Sequence, residues 1–435
     1  MLVSANRGLA EELDVASSVM SLRPSIPELL APAGGRVQLE AALRFGADAV
    51  YLATDRFGLR QRAENFALEE IPAAVDYAHA AGAKVYVTLN AIMDADDLEV
   101  LPAHMEALAA AKVDAFIVSD LGALRLAKRH APQMALHVST QASVSNAEAA
   151  CAWYELGASR VVCSREMSVD DIARMRAATP RELELEAFVH GAMCMAVSGR
   201  CLLSSAMTGR SGNKGHCTQP CRWSYALVEE KRPGEFFPVE EDTRGTYVMN
   251  AQDLNMIAHL DDLAAAGVDS FKIEGRNKKA FYVATVVHAY RAVLDGADPA
   301  EVAPELLTIS HRPYSTGFYY GQADQSPDCD GYMRECLHAA TVLSCDATGE
   351  GHWRATVRCF NRFCEGDSLE VLSPQRPLFE ATVRNLAWLP NGGVGSTAPS
   401  PQPTAVANRS AMCYAFDTTT ALHVGDILRM RVASE

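Results

Sequence analysis

ELLAPAGGRVQLEAALRFGADAVYLAT, residues 28–54, holds an apolar run, a glycine-marked turn, one amphipathic helical stretch and a second apolar run. Strand and helix alternating in this way imply two parallel strands joined by a right-handed crossover. The same alternation continues along the chain. Further apolar runs are KVYVTLN (84–90), DAFIVSD (114–120), ALHVST (135–140), RVVCSRE (160–166), LELEAFVH (183–190) and DSFKIEG (269–275). Helix-period stretches separate them, several ending in Gly as helix C-termini do.

Eight such units over about 270 residues predict a closed TIM-like (β/α)8 barrel. An open doubly wound sheet is the alternative, but no Gly-x-Gly-x-x-Gly follows the first strand. Barrel chemistry collects at the C-terminal ends of the strands. Those ends are polar here, supplying Asn90, Gln141, Arg165, Glu166, His190, Lys272, Glu274 and Arg276. In KIEGR, alternate residues share a face, so Lys272, Glu274 and Arg276 are expected to point the same way. An internal Lys–Glu–Arg ion network is the structural alternative.

Immediately after the seventh run, Cys194, Cys201, Cys217 and Cys221 fall within 28 residues, with six, fifteen and three residues between successive members. The segment lacks the paired Cys-x-x-Cys knuckles of a zinc ribbon, and four thiolates match the needs of an iron–sulfur cubane. Zinc, or four unrelated core thiols, are the other readings. Its surroundings are rich in Gly, Ser and Thr, which does not describe a core helix. No Asp or Glu occurs between Gly191 and Val228, while Arg200, Arg210, Lys214 and Arg222 do. These four cations suit RNA phosphates, or they balance an anionic cluster.

The whole chain carries net charge −15, which argues against indiscriminate nucleic-acid binding. The first residues place acids where a signal peptide needs an apolar core, and no window is a membrane span. A cytoplasmic protein is therefore expected, with its 12 cysteines as thiols or metal ligands. No His-Glu-x-x-His, Gly-x-Ser-x-Gly or P-loop motif is present. From about Ala339 the pattern changes to short alternating strands with Gly, Pro and Asn turns, predicting a small antiparallel β-barrel. The expected organisation is a flexible N-terminus at 1–25, an α/β barrel at 26–298 with an iron–sulfur insertion at 191–246, a connector at 299–338 and a β-barrel domain at 339–435.

At HGAMCMAVSGRC, with ELLAPAG near the start and SFKIEGR after the insertion, the chain resembles the collagenase-like peptidase family of unknown mechanism. Members of that family studied as enzymes are iron–sulfur hydroxylation proteins. A barrel followed by one small β-domain is most similar to the branch that makes 5-hydroxyuridine at the wobble position of tRNA. The resemblance implies a [4Fe-4S] cluster on the four cysteines and prephenate as co-substrate. Prephenate carries two carboxylates, and Arg165, Lys272 and Arg276 are the cations expected to bind it, with Asn90 and Gln141 as hydrogen-bonding groups. His190, Glu166 and Glu274 are the candidates for acid–base work. A peptidase and a non-catalytic RNA-binding iron–sulfur protein are the competing classes, and a protein partner is left open.

Overall fold

The computed structural model describes residues 26–60, 63–193, 201, 203–220, 223, 226–227, 237–238, 252–321, 323, 332–374, 376–390 and 400–432. The expected N-terminus at 1–25 lies outside these residues, as do Cys194, Arg200, Cys221 and Arg222.

Eight parallel strands form a closed barrel: β1 (Glu28–Pro32), β2 (Ala49–Leu52), β3 (Lys84–Leu89), β4 (Ala115–Val118), β5 (Ala135–Val138), β6 (Arg160–Val162), β7 (Glu184–Ala192) and β8 (Ser270–Ile273). Closure is direct, because β8 pairs in parallel with both β1 and β7. A helix follows each strand in turn: α1 (Arg36–Arg44), α2 (Ile71–Ala80), α3 (Ala95–Ala110), α4 (Leu121–His130), α5 (Ala147–Glu155), α6 (Val169–Ala177), α7 (Leu260–Ala265) and α8 (Ala280–Leu294). Four of them start where the sequence offers a capping side chain: Asp94, Asp120, Asn146 and Ser168 each accept a backbone N–H from the first turn. Such a cap contributes about 1 kcal/mol.

Strand alternation divides the strand side chains between two cores. Val50, Leu52, Val85, Val87, Phe116 and Val118 face the helices. Leu30, Ala49, Tyr51, Tyr86, Ala115 and Ile117 fill the barrel interior. Charge fills the interior on the β6–β8 side. Arg160 Nη1 lies 2.7 Å from Glu28 and 3.1 Å from Glu186, and its Nη2 lies 2.7 Å from Glu184. This network sits toward the N-terminal ends of the strands, the face that stabilises such barrels.

At its C-terminal end β7 runs on past the barrel, where His190, Gly191 and Ala192 pair antiparallel with Asp253–Asn255. Gly191 adopts φ +107°, and a Cβ there would fall 2.5 Å from the Glu274 carbonyl oxygen. Of the expected polar hairpin between the cysteines and the barrel, Ala226–Leu227 pairing with Phe237–Pro238 is described.

Beyond the barrel, β9 (Cys336–Gly349), β10 (His352–Cys359), β11 (Ser368–Ser373), β12 (Arg376–Thr382), β13 (Arg384–Leu389), β14 (Cys413–Thr418) and β15 (Ile427–Arg431) form an antiparallel sheet. Its order is β12-β11-β15-β9-β10-β14-β13, ending on Gln402–Pro403. Val342, Val357, Leu369, Phe416 and Leu428 make its separate core. Arg429, fully buried, joins sheet to barrel through Glu305 at 2.6 Å and Glu370 at 2.8 Å. Among the described residues, no helix is long and apolar enough to cross a membrane.

Candidate active site

The C-terminal ends of the barrel strands enclose a cavity of about 430 Å3, its opening to solvent included. That falls within the range of small-molecule sites. Apolar walls come from Tyr51, Leu59, Val162 and Phe188, and polar ones from Thr88, Asn90, Ser139, Thr140 and Gln141. Its charged groups are Arg60, Arg165, Lys272, Glu274 and Arg276.

The charges fall into two levels. Deeper, Lys272 Nζ lies 2.6 Å from Glu186 Oε1 and 4.4 Å from the centre of the Tyr51 ring. Its charge is therefore paired within the barrel. Nearer the mouth, Glu274 stands between two arginines: Oε2 is 3.3 Å from Arg165 Nη2, and Oε1 is 3.4 Å from Arg60 Nε. The Arg165 guanidinium also stacks 4.0 Å above the Phe188 ring. Burial pushes the Glu274 carboxyl up, but Arg60, Arg165, Arg276 and Lys272 together hold it below the usual carboxylate range. It is thus an ionised counter-ion at neutral pH and a weak base.

Arg276 is buried, and its hydrogen-bond partner among the described residues is Asn65 Oδ1, at 3.5 Å from Nη1. No carboxylate lies within ion-pair distance of it among those residues. Burial lowers its pKa to about 10, so it remains a cation at neutral pH. Three guanidinium groups around one carboxylate leave two positive charges uncompensated in a largely enclosed space. A buried charge without a partner is costly, and an anionic ligand would relieve it.

The other strand-end residues have different surroundings. Asn90 Nδ2 donates to Ser139 Oγ at 3.0 Å, and its Oδ1 accepts from Leu59 N at 3.4 Å. It therefore anchors the cavity wall. Gln141 lines the cavity from a single helical turn at Thr140–Ala142. Glu166 is not among the lining residues. Its neighbour Arg165 reaches across to Glu274.

His190 does not reach the cavity either, and the cause is a β-bulge. Lys272 pairs with Phe188 but Ile273 pairs with His190, so Val189 is an extra residue and the inward–outward alternation inverts. The imidazole lies among Tyr282, Tyr290 and Tyr314 on the helix side, with Nδ1 3.3 Å from the Tyr290 hydroxyl. Burial, aided by Lys278 and His311, drives its pKa down to about 3. It is neutral and enclosed, which does not suit proton exchange with a substrate.

Of the cysteine quartet, Cys201 and Cys217 are described, both half-buried thiols outside any disulfide. Cys217 Sγ accepts the Gln219 backbone N–H at 3.3 Å, with Gln219 in the left-handed region at φ +58°. An amide aimed at sulfur stabilises a thiolate, so Cys217 fits a metal ligand. Cys194 and Cys221 lie outside the described residues. Of the four insertion cations, Arg210 is exposed. Lys214 Nζ instead pairs with Asp94 Oδ2, and Arg200 and Arg222 are not described.

The strand-end pattern did not single out Arg60, Tyr51 or Phe188. Arg60 sits in a loop beyond β2, and no sequence signal marks it. Tyr51 and Phe188 could have been found by alternation, as inward positions of β2 and β7. Among the described lining residues the hydroxyls of Thr88, Ser139 and Thr140 have no histidine beside them. A nucleophile–base pair is thus not assembled there.

Residues 34–328 match the family described as peptidase family U32. The "tRNA hydroxylation protein P1" of Bacillus subtilis (strain 168) is 37% identical over 86% of this chain and 90% of that protein. The "tRNA hydroxylation protein P" of Escherichia coli (strain K12) is 34% identical over 80% of this chain and 86% of its own length. A "Collagenase" of Porphyromonas gingivalis is 33% identical over 68% and 74% respectively.

Proposed function

The chain belongs to peptidase family U32, and from that membership we propose that it is an iron–sulfur enzyme hydroxylating RNA. The substrate in this reading is the wobble uridine of tRNA, the product is 5-hydroxyuridine and the co-substrate is prephenate. Relatives named as tRNA hydroxylation proteins, aligned along most of both chains, support the RNA part.

The observation that carries the co-substrate part is the charge balance of the cavity. Arg60, Arg165 and Arg276 surround the single carboxylate of Glu274, and a dicarboxylate brings the two negative charges still needed. Tyr51 and Phe188 supply aromatic walls for its ring. Cys194, Cys201, Cys217 and Cys221 would hold a [4Fe-4S] cluster, which supplies one-electron chemistry when bound. The amide directed at Cys217 Sγ supports that ligand set. Arg210 remains available for RNA phosphates. The reading places the enzyme in the cytoplasm, where reducing conditions keep such thiolates free to ligate.

The test is a reaction of anaerobically purified protein with tRNA lacking the modification. The product forms with prephenate and not without it, and Cys201→Ala together with Cys217→Ala abolishes both bound iron and product. A colourless, iron-free wild-type protein, or hydroxylation indifferent to prephenate, contradicts the reading.

A further inference from the structure

The loop between β2 and α2 is the least regular part of the barrel wall. Phe57, Arg60 and Asn65 have φ of +63°, +71° and +54°. A non-glycine residue in that region costs of order 1–3 kcal/mol and persists only where its surroundings fix it. Here they do. The Phe57 carbonyl accepts Ala91 N at 2.9 Å, Arg60 O accepts Ala63 N at 2.9 Å, and Asn65 N donates to Gly34 O at 2.7 Å. Phe57 itself is buried, edge-on to His104. Gly34 permits this closeness on its other side as well, because a Cβ there would fall 2.0 Å from the Arg276 carbonyl oxygen.

This fixed loop aims two cations. It carries Arg60 directly, and through Asn65 Oδ1 it contacts Arg276 Nη1. Neutralising Glu274 does not require Arg60, since Arg165 already lies 3.3 Å away and Arg276 and Lys272 act on it too. Side-chain exposure is 24% for Arg60 and 5% for Arg165. Arg60 is therefore the prong nearer the opening, and Arg165 is packed beneath.

We propose that Arg60 is a specificity-determining residue of this cavity. With Arg276 it makes a two-pronged receptor that selects an organic acid bearing two carboxylates over one bearing a single carboxylate, and Asn65 is a positioning residue for the second prong. The inference rests on the co-substrate reading above. It adds a residue and a discrimination which that reading does not contain.

Titration calorimetry on the anaerobic holoprotein tests it, with prephenate and the monocarboxylate phenylpyruvate as probes. Arg60→Asn removes the charge yet tolerates a left-handed backbone, and Arg60→Gln is the second variant should the first fold poorly. Either variant is expected to weaken prephenate binding by roughly 10- to 100-fold, the scale of one charge-assisted bond, and phenylpyruvate binding by less than about 3-fold. Arg60→Lys recovers part of the preference, because it restores the charge without the planar fork. Unchanged prephenate binding in the variants, or equal losses for both acids, overturns the inference alone. A wild-type protein that binds neither acid overturns the co-substrate reading and this inference with it.

Discussion

Lys214 Nζ and Asp94 Oδ2 lie 2.5 Å apart, which ties the cysteine-bearing insertion to the N-terminus of α3 at the barrel mouth. Asp94 is at once the N-cap of α3 and the acceptor of this ion pair. Asp96 and Asp97 add to the negative field that raises the Lys214 pKa, after the Asp94 contact itself. A cation committed to an acidic helix start is poorly placed to serve an RNA phosphate.

Lys214 and Arg210 should accordingly separate in tRNA binding. Arg210→Ala is expected to weaken tRNA binding and to reduce the slope of log affinity against log salt by about 1. Lys214→Ala should change affinity by less than about 2-fold and leave the slope alone. Filter binding over a range of salt concentrations measures both, and equal slope changes would show that Lys214 also touches phosphate.

Glu274→Gln should leave Arg60, Arg165 and Arg276 facing one another without a counter-ion. Loss of one partner in a buried ion cluster costs about 3–5 kcal/mol. The sign of its pH dependence follows from the lowered carboxyl pKa. The folded state releases this proton more readily than the unfolded chain, so the stabilisation is present above the unfolded carboxylate pKa. It is lost as pH falls through the folded value. Urea midpoints for wild type and variant should differ at neutral pH and converge in acid. A constant difference across that range would mean Glu274 is not the ionised partner.

Much of this arrangement could be read before any coordinates. The strands and helices of the barrel follow from apolar runs alternating with helical periodicity, and KIEGR places Lys272, Glu274 and Arg276 in one lining because side chains alternate along an extended chain. His190 was misleading for a local reason, since the bulge at Val189 inverts the same alternation. Nothing in the composition of strand β7 announces such a bulge. Arg60 was invisible because it lies off the strand ends, on a loop whose left-handed residues are Phe, Arg and Asn in place of glycine. Lys214 was read by residue type, and its acidic neighbour stands 120 residues away in the sequence.

Acid sensitivity should arise where barrel and C-terminal sheet meet. His338 stacks between Phe281 of α8 at 5.6 Å and Phe360 at 4.2 Å, and burial lowers its pKa from 6.5 to about 4. Between about pH 4 and pH 6.5 the unfolded chain binds a proton at this site that the folded protein refuses. Stability therefore falls with decreasing pH across that window, at about 1.4 kcal/mol per unit for the one group. His338→Gln, which keeps a polar group near Thr341, should flatten the slope. Chemical denaturation at pH 7, 6 and 5 reads it, and parallel curves for both proteins would rule the group out.

The most direct test of the account is the nucleoside composition of tRNA from cells lacking this gene, digested and analysed by mass spectrometry. The account predicts that 5-hydroxyuridine and nucleosides derived from it are absent, return with the wild-type gene, and fail to return with Arg276→Gln. Unchanged levels in the deletion strain, or full restoration by a protein without Cys201 and Cys217, would contradict it.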